Sequence, residues 1–288
     1  MDYKIESNKN IVVIYHAECP DGFSSAFVAY KKFGNRADYI PAEHNRSDPT
    51  GLKNKIIYVV DFSFNESVTL ELMKNNKQVT YIDHHISTEE IVKKTNNYLF
   101  NLKHSGAVLT WIYFWPKKKI PKFILHIEDQ DLWNFKMKNT REAMSALSLE
   151  EMNFKSWGKL VSDFENKEKF KKIVEKGKII LDHNKQIIEW LAENKSEKVL
   201  FEGEKILACE FNYKPLISML AHELYNKKSP FSLVWHLHEG YYKFSMRSNG
   251  KFDVSKIAEK YGGGGHKAAS GFSILIEKGL PFKFVKKK

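Results

Sequence analysis

Three short apolar runs frame the N-terminal half of the chain: Ile11-Val12-Val13-Ile14-Tyr15, Ile56-Ile57-Tyr58-Val59-Val60 and Gln78-Val79-Thr80-Tyr81-Ile82. Each is rich in β-branched and aromatic residues and too short for a buried helix, which predicts core strands. Between them, residues 24–34 open with small side chains and close on Gly34, and residues 67–73 carry a helical pattern. This β-α-β-α-β alternation predicts a mostly parallel sheet with right-handed crossovers. A strand at 98–102 and helices at 105–112 and 122–127 follow, the second running into Glu128-Asp129-Gln130-Asp131-Leu132-Trp133. From 156 to 195 charges are dense, and Phe170, Ile173, Val174, Ile180 and Leu181 recur at helical spacing, which predicts a linking helix or helix pair. Beyond it the pattern predicts a strand at 205–211, a helix at 216–225, a hairpin of 231–238 and 241–248 turning at Glu239-Gly240, a helix at 254–260 and a closing strand at 273–277. The expected fold is therefore α/β: a mostly parallel-sheet domain (1–155), a helical linker (156–199) and a smaller α+β domain (200–288).

All three N-terminal strands end in ligand-type residues. The first runs into His16-Ala17-Glu18-Cys19-Pro20-Asp21-Gly22, the second into Asp61 and the third into Asp83-His84-His85. In a parallel sheet these ends converge on one edge, where open α/β folds place their sites. Any one of them reads equally well as a hydrogen-bonded polar cap. Together, with Asp129 and Asp131 as a further acidic pair, they predict metal binding, because buried carboxylates and imidazoles need compensation. A carboxylate and imidazole set with almost no thiolate favours Mn²⁺ or Mg²⁺, with Fe²⁺ or catalytic Zn²⁺ as alternatives. Several carboxylates suggest two ions about 3.5–4 Å apart, with Asp61, on an inferred middle strand, as the bridge. The run Gly262-Gly263-Gly264-Gly265 precedes His266 and what reads as a helix start. It predicts an anion-binding nest of bare backbone amides, to which Arg247 could add a bidentate contact. His104, His126 and His183 are expected to be structural; His236 and His238, on one face of a strand, read as exposed hairpin residues, with lining of the substrate cleft as the alternative; Trp111, Trp115, Trp133 and Trp157 are expected to be core.

Composition changes this picture little. With 46 Lys+Arg against 35 Asp+Glu the net charge is +11, which fits either a solvated lysine-rich surface or attraction for polyanions. Two cysteines, Cys19 and Cys209, make no disulfide framework and suggest a reducing compartment. The N-terminus does not resemble a signal peptide, and no apolar run approaches the roughly 20 residues that span a bilayer. A cytoplasmic protein with no membrane partner is expected, with a frayed Lys286-Lys287-Lys288 end.

The order of motifs resembles the DHH phosphoesterase family with its C-terminal DHHA1 domain. His16 with Cys19-Pro20-Asp21-Gly22, then Asp61, then Asp83-His84-His85, then Asp129-Gln130-Asp131-Leu132-Trp133 match its first domain. Arg247-Ser248 and Gly262 to His266 with Ala268-Ala269-Ser270-Gly271-Phe272 match its second. The resemblance implies a binuclear Mn²⁺ site with His16, Asp21, Asp61, His84 and Asp129 as ligands, and Cys19 and Asp131 as further candidates. Asp83 and His85 would orient the site or stabilise the transferring phosphoryl group beside Asp61 and His84. Two features depart from the family pattern: Cys19 stands where many members carry Asp, and the step from His16 to Asp21 is one residue longer. In the fourth motif Asp129 is preferred, with Asp131 expected to cap the local turn.

The second domain would grip substrate through Arg247, Ser248, Gly263, Gly264, Gly265 and His266. The Cys-Pro-Asp-Gly-Phe variant resembles the oligoribonuclease (nanoRNase) or cyclic-nucleotide phosphodiesterase branch. A short single-stranded oligonucleotide or nucleotide is then the expected partner, with no obligate protein partner and oligomerisation left open. Alternatives are a polyphosphatase, a phosphatase acting on nucleoside bisphosphates, and a non-catalytic nucleotide sensor.

Overall fold

The computed structural model describes residues 3–17, 19–43, 47–227 and 229–285; the lysine-rich 286–288 end lies outside them. The chain forms two compact units, Met1–Ile180 and Leu181–Lys288.

In the first unit the elements run β1 (Tyr3–Lys4), β2 (Ile11–His16), α1 (Pro20–Phe33), β3 (Ala37–Ala42), β4 (Ser47–Asp48), β5 (Ile56–Val60), α2 (Glu66–Asn75), β6 (Gln78–Asp83), α3 (Glu89–Lys93) and β7 (Asn97–Phe100). Helices α4 (Gly106–Phe114), α5 (Lys122–Asp131), α6 (Thr140–Leu147), α7 (Phe154–Glu165) and α8 (Lys167–Asn194) follow. Five strands pair in the order β3-β2-β5-β6-β7, all in parallel, with Tyr15 opposite Val60 and Val60 opposite Ile82. The α/β expectation holds, and β5 is indeed the strand between β2 and β6. Alternate residues feed two cores: Val12, Ile14, Ile57, Val59, Val79 and Tyr81 on one face with Leu72 of α2, and Val13, Val60 and Ile82 on the other with α1, α4 and α5. Burial on both faces explains why the strands read as unbroken apolar runs.

Two boundaries differ from the sequence reading. Helix α1 starts at Pro20 with Cys19 as N-cap, because proline at the first helical position gives up no needed N–H. Asp21 and Gly22 therefore sit in its first turn instead of a loop. Helix α7, expected in the linker, packs Trp157, Leu160 and Phe164 into the first unit's core, and the indole Nε1–H of Trp157 donates to Ser24 Oγ at 2.9 Å. The division between the units falls within α8.

The second unit contains β8 (Glu197–Phe201), β9 (Glu204–Glu210), α9 (Lys214–Asn226), β10 (Ser232–His238), β11 (Tyr241–Arg247), α10 (Val254–Lys260), β12 (Gly264–His266), β13 (Ala269–Leu275) and β14 (Lys283–Phe284). They form a mixed seven-stranded sheet, β12-β13-β11-β10-β9-β8-β14, in which only β9 and β10 pair in parallel. One face packs Leu233, Phe244, Met246 and Phe272 against Val254 and Ala258 of α10. The other packs Val234 and Cys209 against Leu216, Leu220 and Ala221 of α9 and against Ile188 and Ala192 of α8. The β10–β11 hairpin turns where the sequence placed it, with Glu239 and Gly240 both at positive φ, 46° and 82°, as a two-residue hairpin turn demands. Among the described residues no helix is long and apolar enough to cross a membrane.

Candidate metal centre

The parallel register brings the ends of β2, β5 and β6 together, and the side chains just past them face one another. His84 Nε2 lies 3.1 Å from Asp61 Oδ1, 3.6 Å from Asp131 Oδ2 and 3.7 Å from Asp21 Oδ2. His16 Nδ1 lies 3.6 Å from Asp61 Oδ2. Three overlapping ligand groups result in this unit: His16 with Cys19 and Asp61, Asp61 with Asp83, His84 and His85, and Asp21 with His84 and Asp131. Asp61 is common to the first two and His84 to the last two. The shared position of Asp61 is what a bridging carboxylate requires. Asp61 is almost wholly buried and its Oδ2, like Oδ2 of Asp131, makes no hydrogen bond. Buried carboxylate oxygens left without a donor are costly unless a cation supplies the charge, so the donor set fits a pair of hard or borderline divalent ions.

The local backbone is bent to hold this arrangement. Asp61 adopts a left-handed φ of 53°, a conformation uncommon outside glycine and tolerated best by Asp and Asn. Gly106 makes room for it, since a Cβ there would stand 2.5 Å from Asp61 Cβ. Gly22 plays the same part for His16, whose Cβ lies 2.8 Å from where a side chain would begin. Substituting Gly106→Ala should displace Asp61 and weaken Mn²⁺ binding at least tenfold while far-UV circular dichroism stays native. Unchanged affinity by calorimetry would show that the approach does not matter.

Asp83, besides its place in a ligand group, orients the site. Its Oδ1 pairs with His85 Nδ1 at 2.7 Å and accepts the His84 and His85 amides. Its Oδ2 accepts the hydroxyls of Ser63 and Thr88 at 2.7 and 2.8 Å. Ser63 and Thr88 are positioning residues that the sequence did not single out, Ser63 standing two residues past Asp61. Asp21 likewise has a structural hold, accepting the first amides of α4, Gly106 and Ala107, at 2.6 and 3.1 Å.

The fourth motif needs a correction: the structure places Asp131, not Asp129, beside His84. Helix α5 continues to Asp131, so the two aspartates lie two residues apart on a helix and point to different sides. Asp129 caps the loop beyond, accepting the amides of Lys136 and Met137 at 2.8 and 3.0 Å and the Thr140 hydroxyl at 2.6 Å. Thr140 Oγ1 also meets His126 Nδ1 at 2.8 Å, which makes His126 structural. His104 pairs with Glu128 at 3.0 Å.

Crowded carboxylates set the protonation. Burial, then the charges of Asp61 and Asp131, push Asp21 well above the usual carboxylate range. Burial also acts to raise Asp61, but the adjacent imidazoles of His16 and His84, with His85 beyond, override it and hold it well below that range. Burial would lower His84, yet Asp61, Asp131 and Asp21 lift it to about 10. Burial and the three carboxylates raise the Cys19 thiol well above its ordinary value, so the thiol could serve as a ligand only after a cation displaces its proton. Without a cation His84 keeps a proton at neutral pH, and Nε2 must release it to ligate. Mn²⁺ uptake should therefore release about one proton or more, with affinity rising as pH goes from about 6 to about 9. Calorimetry in buffers of different ionisation enthalpy measures this; a flat pH profile would contradict the proton balance.

In the second unit the glycine run is not a helix start. Gly264 and Gly265 form part of edge strand β12. Gly262, at φ 73°, follows the end of α10: its amide donates to Glu259 and that of Gly263 to Ala258, the two bonds of a Schellman cap. Half of the expected nest is thus spent on the helix. A side chain at Gly263 would strike the Gly271 carbonyl, so close strand pairing explains that residue. Ser248 is buried and ties its own loop, its hydroxyl donating to Phe252 O at 2.7 Å. Arg247 and His266 occupy registered positions on either side of Ala269, hence on one sheet face. Arg247 donates to Ser218 Oγ at 2.6 Å and to Met246 O at 2.8 Å.

The DHHA1 domain family matches residues 206–280. The chain therefore carries a DHHA1 domain behind a parallel-sheet unit whose strand ends gather a carboxylate and imidazole pocket. It is 33% identical over 303 residues to the uncharacterized protein R106 of Acanthamoeba polyphaga mimivirus, covering 95% of this chain and 70% of that protein. Among solved structures it is similar to a pGpG-specific phosphodiesterase, PggH, from Vibrio cholerae (13% identity, 94% and 95% of the two chains, TM-score 0.43). It is also similar to a putative family II inorganic pyrophosphatase from Methanococcus jannaschii (15%, 93% and 96%, TM-score 0.32). Likenesses this distant carry no part of the assignment.

Proposed function

We propose that the chain hydrolyses the phosphodiester at the end of a short single-stranded oligonucleotide, using two divalent cations with Mn²⁺ as the first choice. The observation that carries this is Asp61, buried and shared between two ligand groups, with one oxygen lacking a hydrogen bond. His16, Asp21, Asp61, His84 and Asp131 would hold the ions, with Cys19 as a further donor; Asp131 takes the place first given to Asp129. Such ions supply an activated water and neutralise charge on the phosphate.

The chain's own residues do the rest. Asp83 fixes the His85 ring through Nδ1, which directs Nε2 away from Asp83 as a donor toward a phosphoryl oxygen. Burial would lower the His85 pKa, but the Asp83 charge raises it, which favours the proton-donating form. In the second unit we assign Arg247 and His266 to the substrate's phosphates and the amides of Gly264 and Gly265 to its backbone, with Ser248 and Gly263 keeping these elements in place. The net charge of +11 suits a polyanionic substrate. Two free thiols suit a reducing cytoplasm.

The test is turnover of labelled RNAs of two to five nucleotides with Mn²⁺, beside cyclic nucleotides, polyphosphate and a nucleoside 3′,5′-bisphosphate. Preferred cleavage of the short RNAs is expected. Preference for any of the others reassigns the substrate while leaving the phosphoesterase intact.

A further inference from the structure

The ligand groups of the first unit differ in kind. One joins the His16 imidazole and the Asp61 carboxylate to the Cys19 sulfur, with the three donor atoms within 4.8 Å of one another. Another, Asp21 with His84 and Asp131, offers one imidazole, two carboxylates and no sulfur. Each set brings two negative charges to a cation, from a thiolate and a carboxylate in the first and from two carboxylates in the second. Charge therefore does not distinguish them; softness does. A thiolate is a soft donor that favours Zn²⁺, whereas carboxylates suit Mn²⁺ and Mg²⁺.

Asp61 independently marks the sulfur-bearing group as a cation site. It is 1% exposed, and its Oδ2, 3.6 Å from His16 Nδ1, receives no hydrogen bond. A buried carboxylate oxygen in that state calls for a cation, which His16 and Cys19 stand ready to share. The chain around Cys19 is firmly held. Cys19 is the N-cap of the 14-residue α1, its carbonyl accepts the Phe23 amide at 2.9 Å, and Pro20 follows at the first helical position. The positive end of α1 favours the thiolate once a cation offsets the nearby carboxylates. Cys209, the other cysteine, lies on β9 and belongs to none of the ligand groups among the described residues.

We propose that Cys19 makes one half of the centre selective: His16, Cys19 and Asp61 take a thiophilic ion, Zn²⁺ for choice, while Asp21, His84 and Asp131 take a hard ion such as Mn²⁺. The centre is then built for a mixed pair, although Mn²⁺ supplied alone in excess fills both halves. Binding breaks the S–H bond, forms a sulfur–metal bond and releases the proton to solvent. The inference rests on the metal-centre reading given above but not on the substrate.

The test uses the full chain, with Co²⁺ as a coloured substitute for Zn²⁺. Co²⁺ should give a sulfur-to-cobalt charge-transfer band in the near ultraviolet in the wild type and in Cys209→Ala. The band should be absent from Cys19→Asp, which keeps the negative charge and exchanges a soft donor for a hard one. In competition between Zn²⁺ and Mn²⁺, read by metal analysis, the wild type should prefer Zn²⁺ about tenfold or more beyond what Cys19→Asp does. One equivalent of Zn²⁺ added to the Mn²⁺-loaded wild type should replace one ion of the pair and leave an isolated-ion Mn²⁺ spectrum. Wild-type protein that takes up Co²⁺ without the band overturns the selective half and leaves the metal centre standing. A band that survives in Cys19→Asp, or a Zn²⁺ preference unchanged in that variant, does the same. Wild-type protein that takes up no metal overturns both.

Discussion

Asp61→Asn should lower Mn²⁺-dependent cleavage by about three orders of magnitude or more, since a shared carboxylate supplies several kcal/mol of charge stabilisation. Asparagine is the informative replacement because it tolerates the φ of 53° found at this position, whereas alanine would add backbone strain to the loss of charge. Folding should survive. Stability in excess chelator should change little, but the stabilisation by metal should vanish; for the wild type that is about 2.7 kcal/mol at a hundredfold excess over the dissociation constant. Thermal melts with and without Mn²⁺ separate the two effects. A variant retaining substantial turnover and a full metal-dependent shift would remove Asp61 from the centre.

The second large effect is a contrast between neighbours. Asp131 faces His84 and makes no hydrogen bond through Oδ2, so Asp131→Asn should cut activity by about two orders of magnitude or more with little loss of stability. Asp129 receives two amides and a hydroxyl in the loop that follows α5. Asp129→Ala should therefore cost about 2–4 kcal/mol of stability, while whatever protein remains folded keeps its metal affinity. Denaturant melts and metal titrations on both variants give the answer. The reverse pattern would restore Asp129 as the ligand.

What could be read from the chain, and what could not, follows the range of the forces involved. Asp61, His16 and Asp83-His84-His85 were legible because apolar runs that end in ionisable residues can satisfy them only at a shared strand edge. Asp131 was not, because the choice depends on where α5 stops, and the end of a helix is set by the Asp129 cap and its tertiary partners. The glycine run looked like a nest because backbone amides are anonymous in sequence; the donation of Gly262 and Gly263 to α10 appears only in the fold. Gly106 gave no signal either, for its role is the closeness of Asp61, a residue 45 positions away (106 − 61). His236 is buried, not an exposed hairpin residue, because the alternation along β10 shows which residues share a face, not which face α9 covers. The dense charges of 156–195 concealed a division: α7 is core, and α8 alone spans the two units.

The central claim, that Asp61 is shared by two divalent cations, is tested most directly by electron paramagnetic resonance of the Mn²⁺-loaded protein with its metal content measured alongside. Two ions per chain with a spin-coupled signal are predicted, giving way in Asp61→Asn to an isolated-ion spectrum or to none. A wild-type protein that takes up a single uncoupled ion, or remains empty in excess Mn²⁺, would contradict the account.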